Sequence, residues 1–265
     1  MRARRLIAFA LALLTGAGIA SAHDHWLSAD QLNLAPGDKL TLHLQLGEDL
    51  QSPQEQLLVS KDVERFELLH GNVVDNLFEQ GHDGGKPLWS QAPDFEGEFL
   101  AVMTRGRQQI ELERQQFISE LAEEQVSGIT PTSRPMQRLR YWRFLKLLGR
   151  IGGDEEGSLH HRFIGQQLEL VLIQNPVLLK PGDEEIVQLY LETKPLPNQV
   201  VFALHRDGDK FTRLMSTTDA RGVARFRLNE PGVWVVRTVY LRACKKCGDA
   251  DWEGFWSDYT FELGP

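Results

Sequence analysis

Apolar and polar residues alternate in many short stretches of the chain. Between residues 39 and 46 every even position is leucine, and the odd positions between them are Thr41, His43 and Gln45. A two-residue period of this kind is typical of a β-strand with one buried face. Comparable stretches predict further strands at residues 63–69, 98–103, 168–173, 186–191, 200–205, 223–228, 233–241 and 259–263.

Turn-forming residues separate these predicted strands. Pro36-Gly37-Asp38 precedes the strand that starts at Leu40, and Pro181-Gly182-Asp183 precedes the one that starts at Ile186. Many short strands joined by such turns, without regularly alternating helices, favour antiparallel sheets. With the repeated Pro-Gly-Asp turn, the pattern predicts a mainly β fold of two antiparallel, Ig-like β-sandwich domains.

Helix-forming residues are concentrated in one interval. Residues 117–126 and 136–151 are predicted as helices, because the apolar residues of the second stretch fall near one helical face. These are Tyr141, Phe144, Leu145, Leu148 and Ile151. The rest of that helix is basic, with Arg138, Arg140, Arg143, Lys146 and Arg150. Two interpretations remain open: a helix packed between the domains with a solvated polar face, and a helix on an anionic lipid surface.

The first 22 residues have the parts of a secretory signal peptide. Arg2, Arg4 and Arg5 precede the apolar stretch 6–19, and small residues end the segment at Ala22. We expect export to the periplasm and a mature chain that begins at His23 and does not span the membrane. The predicted organisation is a signal peptide at 1–22, a sandwich domain at 23–114, a helical segment at 115–157 and a second sandwich domain at 158–265.

The charge balance and the missing motifs exclude several functions. The 265 residues carry a formal net charge of −8, and loss of three leader arginines makes the mature chain more acidic. Proteins that bind nucleic acid need Lys and Arg to neutralise phosphates, so no nucleic-acid partner is expected. The sequence also lacks nucleophile-elbow, phosphate-loop, zinc-protease and calcium-loop motifs. We therefore predict that the protein is not an enzyme.

Cleavage after Ala22 places His23, Asp24 and His25 at the new amino terminus. The α-amine, two deprotonated backbone amides and the His25 ring offer four nitrogens in a plane, which suits Cu(II) and Ni(II). In a second geometry, the amine and ring of His23 chelate the ion and a side chain from elsewhere completes the site. Both geometries need deprotonated ligands, so metal binding weakens as the pH falls.

A hairpin between the first two strands suggests which side chains complete this site. If residues 27–34 pair with residues 39–46 around a tight turn, the numbers of opposing residues add to about 74. His25 then faces Asp49, with Glu48 beside it. The predicted metal site therefore consists of His23, His25, Glu48 and Asp49, with the carboxylates as ligands or as acceptors for the histidine rings.

The chain has two cysteines, Cys244 and Cys247, in a Cys-x-x-Cys arrangement. Export to an oxidising compartment favours a disulfide, while metal ligation and redox catalysis remain alternatives. His160 and His161 also stand next to each other, but adjacent side chains of an extended segment point to opposite faces. We therefore do not expect these two histidines to act together.

Several segments resemble an exported family of unknown function that includes the NikK-type periplasmic accessory component of nickel and cobalt uptake. The resemblance rests on the order of segments at 23–27, 140–146, 168–171, 175–176, 181–183, 194–196, 218–222, 231–234, 251–256 and 259–262. It implies a carboxy-terminal sandwich similar to carboxypeptidase-regulatory modules. It also implies association with nickel or cobalt uptake and with a membrane transporter of the energy-coupling-factor type.

Three hypotheses for the function follow. The first is a periplasmic protein that binds Ni(II), Co(II) or Cu(II) through its mature amino terminus and serves metal uptake. The second is a copper enzyme in which the amine and ring of His23 chelate the metal, with a distant histidine and an open coordination position. The third is a structural or adhesive β-sandwich whose terminal histidines bind no metal.

Overall fold

The computed structural model describes residues 24–80, 83–153 and 157–265. The predicted signal peptide and His23 lie outside the described residues. Within these ranges the chain is mainly β, which confirms the predicted fold class. The strands, numbered in chain order, are β1 (Asp24–Ala29), β2 (Asn33–Leu34), β3 (Leu40–Glu48), β4 (Gln51–Gln56), β5 (Val63–His70), β6 (Val73–Asn76), β7 (Trp89–Gln91), β8 (Gly97–Glu113), β9 (Met136–Ile151), β10 (Leu168–Leu172), β11 (Glu184–Leu191), β12 (Lys194–Pro195), β13 (Val200–Asp207), β14 (Lys210–Thr217), β15 (Val223–Arg227), β16 (Gly232–Ala243) and β17 (Trp252–Leu263).

In the described parts of the chain, these strands form three sheets. The central sheet has the order β14-β13-β16-β17-β9-β8-β5-β6, and β2 adds to it beside β9. We call the sheet of β1, β3, β4 and β7 sheet A, and the sheet of β10, β11, β12 and β15 sheet C. The pairing is antiparallel except where β9 meets β17 and β2.

Sheets A and C cover opposite faces of the central sheet. On β8, Leu100 and Val102 belong to the same buried cluster as the leucines of β10, whereas Phe99 and Met103 join the leucines of β3. Successive residues of a strand point to opposite faces, so both faces of β8 are buried. The two predicted sandwiches therefore share one central sheet, which is continuous from β8 through β9 to β17 across the predicted domain boundary.

The predicted helix at 136–151 is wrong, because these residues form β9 in the middle of the central sheet. Phe144 and Leu148 lie in the core under sheet C, whereas Leu145 and Leu147 lie in the core under sheet A. A strand that is buried on both faces lacks a two-residue polar alternation, and its apolar run resembles that of a buried helix. The helical segment predicted at 115–157 is thus helical only in its first part.

That first part is helix α1 (Arg114–Glu123). Its buried residues Phe117 and Leu121 pack with Trp252 and Trp256 of β17 in a third apolar cluster. Within the described residues, no helix is long and apolar enough to cross a bilayer.

Two of the basic residues of β9 are buried rather than solvated. Nζ of Lys146 lies 2.6 Å from Oε1 of Glu169, and both side chains are almost fully enclosed. Burial lowers the pKa of Lys146 to about 8, although Glu169 opposes this effect. The Glu169 carboxylate also accepts hydrogen bonds from the backbone N–H groups of Ile164, Gly165 and Gln166. The pair therefore ties the loop before β10 to the central sheet.

Gly149 of β9 allows a close approach between backbone segments. A Cβ at this position would lie 2.7 Å from the carbonyl oxygen of Leu32 and would overlap the ring of Phe99. Any larger residue would push β9 away from Leu32, whose carbonyl oxygen accepts a hydrogen bond of 2.8 Å from the N–H of Arg150.

Candidate functional site

The amino end of β1 is where the sequence predicts a metal site. β1 pairs with β3 so that Asp24 is opposite Gly47 and His25 is opposite Leu46. The predicted pairing of His25 with Asp49 is therefore wrong by three residues. The tight hairpin does not form, because β1 ends at Ala29 and the following strand, β2, pairs with β9 instead of β3.

The side chain of Asp24 enters a buried group of charges that we call the Arg237 cluster. Oδ1 of Asp24 lies 2.5 Å from Nη1 of Arg237, and Oε1 of Glu124 lies 2.7 Å from Nη2. Oδ1 of Asp258 lies 3.8 Å from Nε of the same guanidinium. These four side chains are each less than one-tenth exposed. One arginine thus joins β16 and β17 to the start of β1 and to the residue after α1.

Burial sets the protonation of this cluster. Burial raises the pKa of Asp258 to about 8, with Arg237 opposing the effect. It also raises the pKa of Asp24, where Arg237 again opposes it. For Arg237 itself, burial disfavours the charge, but the three carboxylates outweigh burial and raise its pKa. Arg237 is therefore a permanent cation, and it opposes the effect by which burial favours the neutral forms of Asp24 and Asp258.

A second buried arginine lies beside the cluster. The guanidinium of Arg143 is 5.4 Å from the ring centroid of Tyr141 and 5.3 Å from that of Trp256. Its Nε and Nη1 atoms have no hydrogen-bond partner among the described residues. Burial lowers the pKa of Arg143, and the nearby charges of Asp258 and Asp24 oppose this effect. Aromatic faces and these carboxylates thus offset part of its desolvation cost.

Carboxylates outside the cluster make this end of the molecule acidic. We call Glu48, Asp49, Glu120 and Glu123 the acidic rim. Burial raises the pKa of Glu123, and the neighbouring charges of Glu124, Glu120 and Glu48 raise it further. Asp49 likewise adds to the raised pKa of Asp24. The carboxyl end of α1, which carries a partial negative charge, lies here too.

The turn that carries Glu48 and Asp49 is held in place from the carboxy-terminal half of the chain. Nε of Arg206 donates a hydrogen bond of 2.9 Å to the carbonyl oxygen of Asp49. Asp49 and Leu50 have positive φ angles of 51° and 57°. The ring of Trp26 lies against Gly47, where a Cβ would come within 3.2 Å of Cη2. Trp26 is therefore a buried aromatic group that packs against Gly47, the residue before the predicted ligand Glu48.

The predicted ligands are only partly brought together. Glu48 and Asp49 lie near Asp24, but within the described ranges His25, Glu48 and Asp49 do not form a group of ligand atoms within 4.8 Å of one another. Asp24 and His25 are extended and paired with β3, so the planar geometry would require both to leave the strand. The chelate formed by the amine and ring of His23 leaves β1 intact, and its imidazole and amine nitrogens suit Ni(II), Co(II) and Cu(II).

Cys244 and Cys247 form a disulfide with a Cα–Cα distance of 5.6 Å. Glu253 is close enough to make a three-ligand group with them. However, Glu253 already accepts hydrogen bonds from Nε of Arg140 at 3.0 Å and from Nε of Arg242 at 2.8 Å. Burial raises the pKa of Glu253, but these arginines outweigh it and lower the pKa. The pair is thus positioned as a disulfide, and metal ligation would require its reduction.

The Arg237 cluster was not predicted from the sequence. Arg237 is 113 positions from Glu124 along the chain and still farther from Asp24, so spacing gives no link between them. A usable signal is present in the strands themselves, since Arg237 and Asp258 interrupt otherwise apolar stretches. A charged residue in a fully buried strand indicates a partner of opposite charge.

Comparison with known proteins adds a family match. A family model described as "Domain of unknown function (DUF4198)" matches residues 20–242. No curated protein matches the chain. Among solved structures the chain is similar to the D0-D1 domain of intimin, with 12% identity over 90% of this chain and 97% of that chain and a TM-score of 0.22. This similarity carries no argument about function.

Proposed function

The chain belongs to the DUF4198 family of domains of unknown function, and we propose that its mature form is a periplasmic protein that binds a divalent transition-metal ion. The proposed ligands are the amine and ring of His23, with His25, Glu48 and Asp49 as further donors. The proposed ions are Ni(II), Co(II) and Cu(II). The proposed role is an accessory one, in which the protein serves a metal-uptake transporter of the energy-coupling-factor type rather than catalysing a reaction.

The observation that carries this proposal is the buried ion pair between Asp24 and Arg237. A chain terminus is usually frayed, and the entropy of ordering it opposes ligand binding. Asp24 directly follows His23, so the ion pair fixes the position next to the proposed chelate. The terminus is therefore already ordered at Asp24, which lowers the entropy cost of binding a metal ion at His23.

The acidic rim supports the proposal through charge. The negative potential is evident at Glu123, where burial raises the pKa and the charges of Glu124, Glu120 and Glu48 raise it further. Such a potential concentrates cations near the site and speeds their association. Glu48 is exposed, so its carboxylate is free of the desolvation cost that a buried ligand would carry. The choice of nickel or cobalt and of the transporter comes from the resemblance of the sequence segments.

The test compares two forms of the exported protein. One begins at His23 with a free α-amine, and the other is acetylated on that amine, which removes the chelate of amine and ring. We expect Cu(II) to quench the fluorescence of the first form at one equivalent, because Trp26 lies beside the site. Acetylation is expected to abolish this quenching. A Trp26→Phe variant is the matched control, in which copper still binds but most of the quenching is lost.

Two results would overturn the proposal. Equal quenching in the acetylated form would show that the amine is not a ligand. Absence of quenching in both forms would favour the structural or adhesive alternative. Consumption of oxygen and a reductant by the copper-loaded protein would instead favour the copper enzyme.

A further inference from the structure

His160 and His161 lie in a 3₁₀ turn (Leu159–His161), far along the chain from the amino terminus. Their rings converge rather than diverge, because the turn is not extended as the sequence had suggested. Nε2 of His160 and Nδ1 of His161 are 3.1 Å apart, and the ring planes make an angle of 78°. The ring of His160 is buried, whereas His161 is exposed.

A carboxylate stands behind His160. Nδ1 of His160 lies 3.7 Å from Oε1 of Glu98 and has no hydrogen-bond partner among the described residues. Glu98 is held by the N–H of Leu159 at 2.7 Å and by Nδ2 of Asn175 at 2.8 Å. Its negative charge faces Nδ1, which favours the tautomer with the proton on that nitrogen. The lone pair of Nε2 then points toward His161.

The backbone of this turn is fixed as well. The hydroxyl of Tyr259, on β17 of the central sheet, donates a hydrogen bond of 3.1 Å to the carbonyl oxygen of His160. The side chain of Glu98 packs so closely against Gly157 that a Cβ at residue 157 would overlap it. His160 is therefore an oriented group on a rigid support, and exposed His161 keeps the freedom to rotate.

We infer that Nε2 of His160 and Nδ1 of His161 form a second, independent site for a divalent transition-metal ion, with Glu98 orienting His160 from behind. With metal–nitrogen distances of 2.0–2.1 Å, two nitrogens 3.1 Å apart subtend about 98° at the ion. This angle lies between the square-planar and tetrahedral values, and imidazole ligands suit Zn(II), Cu(II) and Ni(II). Water completes the coordination on the exposed side.

The chemistry of the free pair is compatible with this role. Without metal and with the His160 proton on Nδ1, the Nδ1–H group of His161 donates a hydrogen bond of 3.1 Å to Nε2 of His160. Binding requires both facing nitrogens to present lone pairs. His161 meets this requirement when its proton resides on Nε2, and solvent can carry the proton there because the ring is exposed. A carboxylate behind a metal-binding histidine is a frequent arrangement that raises ligand basicity.

The experiment is a calorimetric titration with Zn(II) of the processed protein after acetylation of its α-amine. This form lacks the amino-terminal chelate, so success or failure at His23 does not affect the result. We expect one equivalent of Zn(II) to bind. His161→Ala should abolish this binding, and Glu98→Gln should weaken it by about 10- to 100-fold, as loss of a supporting partner typically does.

A matched control separates ligation from general changes in this turn. Arg162 follows His161 and is also exposed, so Arg162→Ala should retain full affinity. Melting temperatures of all variants establish that each is folded, and His161→Ala is expected to match the parent protein. Unchanged Zn(II) binding in His161→Ala, or no binding in the parent form, would overturn the inference.

Discussion

Glu185 offers the sharpest test of the charge distribution in this fold. It lies on β11 with no exposed surface, and its Oε2 has no hydrogen-bond partner among the described residues. Burial raises its pKa to about 8, although backbone N–H groups, including that of Gln174, oppose the effect. The folded protein therefore holds a proton on Glu185 at a pH where the unfolded chain has released it.

The sign and size of the effect follow from this difference in pKa. The folded pKa lies above the unfolded value of 4.5. The contribution of Glu185 to the free energy of unfolding is therefore fully present below pH 4.5 and is lost as the pH rises toward 8. Between pH 5 and pH 8 the loss amounts to about 3–4 kcal/mol of unfolding free energy. Glutamine has nearly the same shape and does not titrate.

The assay is urea unfolding of the parent protein and of Glu185→Gln at several values between pH 5 and pH 8. We expect the stability of the variant relative to the parent to increase by about 3–4 kcal/mol across this range. Other buried groups titrate in both proteins, so their contribution cancels in the difference between the unfolding free energies of the variant and the parent. Glu184→Gln, an exposed neighbour, is the matched control and should show a nearly constant difference. A constant difference for Glu185→Gln too would refute the reasoning.

Three further predictions concern stability. Arg237→Met should lower the unfolding free energy by about 3–5 kcal/mol in urea unfolding at pH 7, since it leaves buried carboxylates without their cation. Gly149→Ala should lower it by about 1–3 kcal/mol because the added methyl group has no space, whereas Gly248→Ala, with no atom near its Cβ, should change little. Reduction of the Cys244–Cys247 disulfide, followed by thermal unfolding, should cost about 2 kcal/mol, as expected for so short a loop.

Each of these predictions has a result that contradicts it. Arg221→Met serves as the control for Arg237→Met, because Arg221 is 79% exposed in its side chain. Equal losses of unfolding free energy in these two variants would show that the buried cluster contributes no more to stability than an exposed arginine does. Equal effects of alanine at Gly149 and Gly248 would contradict the close approach of β9. An unchanged melting temperature after reduction would show that the loop is held by its other contacts.

The local pattern of the chain was enough for much of the fold. The stretch 39–46 alternates because β3 buries one face against the central sheet, and it was predicted correctly for that reason. The other predicted strands likewise overlap observed ones. Period and turn chemistry are local properties, so the sequence alone determined the mainly β class and most strand positions.

Tertiary structure decided the features that depend on distant residues. Residues 136–151 are a strand because sheets A and C cover both faces of β9, and a strand that is buried on both faces does not show a two-residue alternation along its whole length. The register of β1 depended on β2 joining β9 rather than β3. The order of the strands in the sheets decides which residue pairs with Asp24. It also decides that His160 and His161 converge in front of Glu98. Sequence spacing carries no information on such contacts, because sheet order and turn geometry bring together residues that are far apart along the chain.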